Sequence, residues 1–340
     1  MKSLILALFV SVGLLATPAL AAPPKAKPAA PKADKKKPVQ PEGPADASQF
    51  TGDMDDSPEW FKKTDDAIDQ LTDLVRSLPE GDVKATRMIQ LAELYWQKSS
   101  RLHQRAMKSY NNKYDDWFTK DLAAKGVPEP KVSAEPAEKE SDVVMKKAIA
   151  IYEHVIKKFP ANPRGDQAHF YLGQSYLQMA EKDKAIATFK KLTERYPQSP
   201  FISDAYLGLG EFFFDNKKVD DAMENYKKAA KPGTKNYGYA LYKLAWCYAN
   251  KSDYQTALDL AKKVVQFSMQ PGESHEYKDQ ALKDMINWYT EVGDVDGAEA
   301  YFKGVVNDPI YYKKFLTIFG SRLFEQGRDD ESIRIYRKLI

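Results

Sequence analysis

Few residues in this sequence have the types and spacing that a catalytic, metal-binding or cofactor-binding site requires. None of the four histidines forms a His-Glu-x-x-His pair or a cluster with the single cysteine, so a metal site has little support. The Gly-Leu-Gly run at 208–210 lies on a predicted helix and lacks the strand–turn–helix context of a dinucleotide site. The run at 232–235 lacks the spacing of a phosphate-binding loop, and no Gly-x-Ser-x-Gly elbow occurs. We therefore expect neither enzymatic activity nor a bound metal or cofactor. The histidines are His103, His154, His169 and His275.

One aromatic stripe has the composition of a binding surface. Tyr239, Tyr242 and Trp246 are spaced three and four residues apart, which places them on one face of a predicted helix. Tyrosine and tryptophan are the usual anchors of protein interfaces. The same rings could instead pack between neighbouring helices, and the sequence leaves both interpretations open.

Lysines recur in pairs on a second set of predicted helices. Stacked helices would align them into a basic ridge, but acidic neighbours such as Glu194, Glu224 and Asp259 offset the charge. A solvated outer face is the interpretation that this mixture favours over a binding ridge. The basic residues are Lys190, Lys191, Lys227, Lys228, Lys262, Lys263, Lys303, Arg337 and Lys338.

The elements that position these residues repeat along the chain. An anchor residue, usually the glycine of a Leu-Gly pair, recurs at intervals of 37, 35, 41 and 34, close to the 34-residue period of tetratricopeptide repeats. Most units carry an aromatic residue three positions after the anchor, a small residue twelve after it and an aromatic residue sixteen after it. The anchors are Gly173, Gly210, Ala245, Ile286 and Gly320.

The spacing has a physical explanation in pairs of crossing helices. Gly173 and Ala185 allow two helices to cross closely, Tyr176 and Phe189 fill the wedge to the next pair, and Pro197 ends the second helix. Because one such hairpin cannot bury its apolar face alone, copies must stack. We predict an all-α fold, a right-handed tetratricopeptide superhelix, which is an α-solenoid of helix-turn-helix repeats.

The first helix of each hairpin should line a groove in such a superhelix. Helical spacing selects the side chains that turn away from the second helix, and their polar and aromatic mixture suits a protein or peptide. The predicted groove residues are Phe170, Gln174, Leu177, Glu211, Phe214, Tyr239, Tyr242, Trp246 and Asn287.

The N-terminal half carries a degenerate repeat. Helices should begin at Ser57, and the first unit should contain an insertion at 99–141 with a Pro/Glu-rich loop at 126–140. We therefore assign 57–141 to N-terminal helices, with helix resuming near Ser141, and 142–340 to the repeat array. The run at 331–340 stops within a second helix, and we expect either a fragment of a longer chain or a partner that covers this end.

The first 56 residues have the composition of an exported, tethered protein. Residues 1–21 predict a cleaved signal peptide, which implies an exported, periplasmic protein without a transmembrane span after cleavage. We expect it to be either soluble or peripherally associated with the outer membrane. Residues 22–56 predict an extended Pro/Ala/Lys-rich tether, either a spacer or a contact to cell wall or an anionic surface. A net charge of +3 argues against an extended nucleic-acid footprint. Cys247 should be a small core residue. The tail lysines are Lys25, Lys27, Lys32, Lys35, Lys36 and Lys37.

These features together resemble envelope tetratricopeptide proteins. The resemblance rests on the export signal, the tether and the Tyr-Pro-x-Ser-Pro connection at 196–200. The chain is similar to the periplasmic Tol–Pal-associated division coordinator and to the lipoprotein subunit of the outer-membrane β-barrel assembly machine. The resemblance implies a scaffold that binds an envelope protein or peptide in its groove. The alternative is a structural protein that binds peptidoglycan or a lipid surface through its tail.

Overall fold

The computed structural model describes residues 57–270 and 276–339, and the regular elements of these ranges are all helices. The predicted signal peptide and tether lie outside them. No helix in the described ranges combines the length and the apolar character needed to cross a membrane. The α-helices are α1 (Pro58–Ser77), α2 (Asp82–Thr119), α3 (Pro136–Lys158), α4 (Gly165–Gln178), α5 (Lys182–Arg195), α6 (Ile202–Asp215), α7 (Val219–Ala229), α8 (Tyr237–Asn250), α9 (Tyr254–Ser268), α10 (Glu276–Val292), α11 (Val295–Val305), α12 (Pro309–Glu325) and α13 (Asp329–Tyr336), with short 3-10 turns at Ala123–Lys125, Val132–Ala134 and Arg337–Leu339.

Consecutive helices form hairpins in the predicted register. Each anchor residue lies on the first helix of a pair, from α4 and α5 to α12 and α13. The residue seven positions after each anchor takes a left-handed backbone conformation, with φ between 58° and 83°, so all five hairpins turn in the same way. The predicted all-α solenoid of helix-turn-helix repeats is confirmed. The five turn residues are Ala180, Lys217, Ser252, Gly293 and Gly327.

Glycine allows the two helices of a hairpin to approach closely. A Cβ atom at Gly173 would lie 2.4 Å from the Phe189 ring, and one at Gly210 would lie 2.7 Å from the Tyr226 ring. Gly208 does the same between repeats, because its Cβ would lie 2.8 Å from Phe189. The Gly-Leu-Gly run is therefore a packing feature, as the helix pattern indicated.

The Tyr-Pro-x-Ser-Pro connection ties one hairpin to the start of its own first helix. Helix α5 ends at Arg195, and Ser199 Oγ donates a 2.8 Å hydrogen bond to Asp166 Oδ2 while accepting one from the Phe201 amide. Asn162 performs the same task one repeat earlier, where Nδ2 donates to the Asp82 carbonyl oxygen over 3.2 Å. The polar residue two places after the proline thus ties the end of each hairpin to the start of its own first helix.

The N-terminal insertion lengthens the first hairpin. Ser57 caps α1, as predicted, by accepting the Trp60 amide. Helix α3 begins at Pro136 rather than near Ser141, because a proline fits the first turn of a helix. The added turns of α2 and α3 pack on each other through the buried pair Ser99 and Ser141, whose hydroxyl oxygens lie 2.9 Å apart.

A candidate partner-binding surface

The first lysine of each pair contacts the next repeat. The ammonium groups of Lys190, Lys227 and Lys262 lie 5.5 to 5.7 Å from ring centroids in the following hairpin. These distances are in the range of cation–π attraction. Lys190 and Lys227 are exposed, which agrees with the favoured interpretation of a solvated outer face, and Lys262 is half-buried. Each of the three also lies over an aromatic ring at a joint between repeats. The rings belong to Phe213, Tyr248 and Tyr289.

The predicted groove residues do not all reach the surface. Phe170 is only 2% exposed and stacks on Phe201 at 4.6 Å between ring centroids, so its assignment to a partner contact is wrong. The helical spacing gave the right helix for Phe170, but the neighbouring hairpin covers its side chain. Gln174 and Leu177 are half-buried, and Asn287 is exposed on α10.

A charged joint connects α6 to α8. Glu211 forms an ion pair with Lys243 at 3.0 Å and accepts a 2.7 Å hydrogen bond from the Tyr226 hydroxyl. The Lys243 ammonium also lies 4.6 Å from the Phe214 ring centroid and 5.8 Å from that of Tyr239. The structure therefore brings the predicted residues Glu211, Phe214 and Tyr239 together around one lysine that the sequence analysis did not select.

A second joint connects α8 to α10 through a buried carboxylate. Asp284 is 7% exposed, and its Oδ2 accepts hydrogen bonds from the Tyr242 hydroxyl at 2.7 Å and from Trp246 Nε1 at 3.0 Å. Burial raises the pKa of Asp284 because desolvation disfavours the charged form. Gln280 Nε2 lies 3.5 Å from the other oxygen, Oδ1. Tyr242 and Trp246 thus hold the carboxylate from the preceding repeat.

Further aromatic rings pack against Tyr242 and Trp246, the two residues that donate to this carboxylate. Tyr277 lies 4.9 Å from Tyr239 and 6.1 Å from Tyr242 between ring centroids, and Trp288 lies 5.6 Å from Trp246 in an edge-on arrangement. We call the set of Tyr239, Tyr242, Trp246, Tyr277, Asp284 and Trp288 the Asp284 cluster.

Within the cluster, the packing interpretation of the aromatic stripe holds for Tyr242, which is 9% exposed. Tyr242 is therefore corrected from a groove contact to a residue of the joint. Tyr239 and Trp246 remain half-buried, so their edges still reach the surface.

One position accounts for the residues that sequence reasoning missed. Two places before an anchor lie Tyr171, Lys243 and Asp284, and each contacts the residue one place after the preceding anchor. For Tyr171 the preceding anchor position is Ala92 on α2, in the first hairpin. The contacted residues are Glu93, Glu211 and Trp246. The sequence did contain a signal for these contacts. When the repeats are aligned, Tyr171, Lys243 and Asp284 place a polar group at a position that a helical projection assigns to packing.

Other candidate chemistry is accounted for by burial. Cys247 is fully buried, as predicted for a small core residue, and burial raises the pKa of its thiol to about 12. Within residues 57–270 and 276–339, no group of three or more His, Cys, Asp or Glu side chains is arranged to hold a metal ion. The predicted surface-binding tail, Lys25, Lys27, Lys32, Lys35, Lys36 and Lys37, lies outside the described residues.

Comparisons with known proteins agree on the repeat type. Residues 167–199 and 239–266 match the family model described as tetratricopeptide repeat. These two segments are tetratricopeptide repeats. The first segment covers most of the hairpin of α4 and α5, and the second covers most of α8 and α9. No curated protein matches the chain.

Solved structures of tetratricopeptide type are similar over part of the chain. The crystal structure of MamA is 25% identical, with 49% of this chain and 83% of that chain covered and a TM-score of 0.39. YrrB, described as a TPR protein with an unusual peptide-binding site, is 16% identical, with 56% and 90% covered and a TM-score of 0.42. A tetratricopeptide repeat protein from Parabacteroides merdae is 12% identical, with 70% and 79% covered and a TM-score of 0.41.

Proposed function

We propose that this protein is a scaffold that binds a partner protein or peptide along the first helices of its repeats. The observation that supports this most directly is the surface formed by α6, α8 and α10. Phe214 on α6 and Tyr239 and Trp246 on α8 are half-buried, and Asn287 on α10 is exposed. Aromatic edges surrounded by polar groups are typical of interface anchors. Tetratricopeptide hairpins stack so that such first-helix faces form one continuous surface.

We propose further that the scaffold works in the periplasm as part of a multi-protein envelope machine, in outer-membrane biogenesis, division, secretion or gliding motility. The support is the signal-like sequence at 1–21 and the resemblance to envelope tetratricopeptide proteins carried by residues 196–200. Osmotic-shock fractionation of cells tests the location. Recovery with periplasmic markers supports it, and recovery with cytosolic markers contradicts it.

The tail provides the alternative function. Its six lysines would attract an anionic surface such as cell wall or lipid headgroups, and such binding would weaken as salt rises. Sedimentation with purified cell wall, with and without residues 22–45, tests it. Without salt-sensitive sedimentation, this alternative is rejected.

Co-purification with matched surface variants tests partner binding. Asn287→Trp places a bulky side chain at an exposed position of α10, and Lys263→Trp does the same at an exposed position of α9, a second helix. If the first-helix face binds the partner, a protein that co-purifies with the parent chain is depleted by Asn287→Trp and retained by Lys263→Trp. Equal recovery with all three chains contradicts the proposal.

A further inference from the structure

Asp284 is a buried carboxylate that is held by neutral hydrogen-bond donors. No lysine, arginine or histidine in 57–270 or 276–339 forms an ion pair with it, and its hydrogen-bond donors are the neutral groups of Tyr242, Trp246 and Gln280. Buried carboxylates are normally paired, because removing the charge from water is costly. The preceding joint obeys this rule, since Glu211 is paired with Lys243. Of these two joints, only the one between α6 and α8 therefore has a cation paired with its carboxylate.

The two oxygens of Asp284 are used unequally. Oδ2 accepts both strong hydrogen bonds, at 2.7 and 3.0 Å. Oδ1 faces only the amide of Gln280 at 3.5 Å, which is at the limit of hydrogen-bond length. Gln280 is exposed, so its side chain can move aside without unpacking the core. A donor from outside can therefore reach Oδ1 while the joint stays intact.

The surroundings favour a planar cation. Trp246 contacts the carboxylate, and the half-buried rings of Tyr239 and Tyr277 pack together beside Tyr242, which also contacts it. Aromatic faces attract cations. A guanidinium group is planar, stacks on such rings and is less strongly hydrated than an ammonium group. Lys283 is the adjacent cation on α10, but it is exposed and makes no ion pair with Asp284. Its charge is screened by water, whereas a guanidinium at Oδ1 would be partly desolvated.

We propose that the Asp284 cluster binds an arginine side chain of the partner segment. This inference rests on the proposed function and specifies the chemistry of the partner. The guanidinium displaces the Gln280 amide, donates to Oδ1 and lies against the half-buried rings of Tyr239 and Trp246. The joint between α8 and α10 then has the counter-ion that Lys243 supplies at the preceding joint.

A randomised dodecapeptide library displayed on phage, selected on the parent protein, tests this directly. Selected sequences are synthesised with arginine and, as a matched pair, with citrulline, which keeps the shape and removes the charge. We expect arginine to be enriched at one position, with affinity about tenfold above that of the citrulline peptide, because charge-assisted hydrogen bonds are the stronger class. Asp284→Asn should abolish this preference. Asp279→Asn, an equal charge change at an exposed position of α10, should retain it.

A second variant guards against loss of folding. Gln280→Ala removes an exposed side chain and should leave the fold unchanged while raising the affinity for the arginine peptide, since it removes the competing amide. Selected peptides that bind Asp284→Asn with the same arginine preference overturn the inference, as does a library that yields no enriched peptide. The co-purification with Asn287→Trp tests the proposed partner binding separately. Failure of the arginine inference can therefore be distinguished from failure of the proposed function.

Discussion

The phenolic hydroxyl of Tyr242 donates a 2.7 Å hydrogen bond to Oδ2 of Asp284, across the joint between α8 and α10. Because Trp246 Nε1 donates to the same oxygen over 3.0 Å, two side chains of one repeat hold one carboxylate of the next. The joint therefore depends on an acceptor oxygen, whereas its negative charge is left without an ion pair among residues 57–270 and 276–339.

Replacing the Asp284 carboxylate by an amide separates the effect of its acceptor oxygen from the effect of its negative charge. Burial raises the pKa of Asp284 above its value in the unfolded chain. The stability contributed by this group is therefore fully present below the ordinary aspartate pKa of about 4 and is lost as pH rises through the folded-state pKa. Asp284→Asn keeps an acceptor and removes the charge, so we expect its free energy of unfolding at pH 7 to equal or exceed that of the parent.

Urea denaturation at pH 7 and pH 3 measures this difference. The advantage of Asp284→Asn should disappear at pH 3, where the aspartate is protonated in both states. Asp284→Ala is the control, because it leaves the Tyr242 hydroxyl and the Trp246 indole without an acceptor and should cost about 1–3 kcal/mol. A loss of stability in Asp284→Asn as large as that in Asp284→Ala would show that the charge itself holds the joint.

Two tyrosines on second helices of hairpins, Tyr152 on α3 and Tyr226 on α7, should respond oppositely to loss of the hydroxyl group. Tyr152 is fully buried and its hydroxyl has no hydrogen-bond partner in the described part of the chain, whereas the Tyr226 hydroxyl donates to Glu211 at 2.7 Å. Tyr152→Phe should raise the free energy of unfolding by about 1 kcal/mol, and Tyr226→Phe should lower it by about 1–2 kcal/mol. Chemical denaturation of the two variants checks the sign. Equal effects would contradict this account of the two hydroxyls.

Two helical glycines form a second matched pair. A Cβ at Gly173 would lie 2.4 Å from the Phe189 ring, while one at Gly304 on α11 meets no atom within 4 Å. Gly173→Ala should destabilise the fold by about 1–3 kcal/mol through overpacking. Gly304→Ala should stabilise it by up to about 1 kcal/mol, because alanine favours helix. Thermal unfolding of both variants provides the measurement, and a stable Gly173→Ala would mean that the close crossing of α4 and α5 is not required.

A surface carboxylate links the first hairpin to the turn before it. Glu80 pairs with Lys158 at 2.7 Å and with Lys84 at 3.0 Å, and these hydrogen bonds lower the pKa of Glu80 to about 2. Its contribution to stability is present above the ordinary glutamate pKa and is lost as pH falls towards 2. Glu80→Gln should therefore lower the unfolding midpoint in urea at pH 6 and have no effect near pH 2. A pH-independent effect would assign the loss to packing instead.

The repeat architecture was readable from the sequence because its cause is local. Small residues such as Gly173, aromatic residues such as Phe189 and the helix-ending Pro197 each have a direct steric consequence, and their period fixes the hairpins. The common turn was also signalled by Gly293 and Gly327, where φ is positive. At Ala180, Lys217 and Ser252 the same conformation is imposed on other residue types by the flanking helices, so composition alone gives no sign of it.

The candidate surface was harder to predict because it depends on the angle between successive hairpins. A helical projection treats each first helix as isolated, and so it placed Phe170 and Tyr242 in a groove and assigned no role to Lys243 or Asp284. The neighbouring hairpin covers the first two and brings the last two into the joints. These outcomes follow from packing between repeats, which no single helix encodes.

Site-specific photocross-linking in living cells tests the central claim most directly. A photoreactive amino acid at position 287, exposed on the first-helix face, is compared with one at position 263, exposed on a second helix. The account predicts one dominant intermolecular product from position 287, weakened in Asp284→Asn and absent from position 263. Equal products from both positions, or none from position 287, would contradict a partner-binding role for this surface.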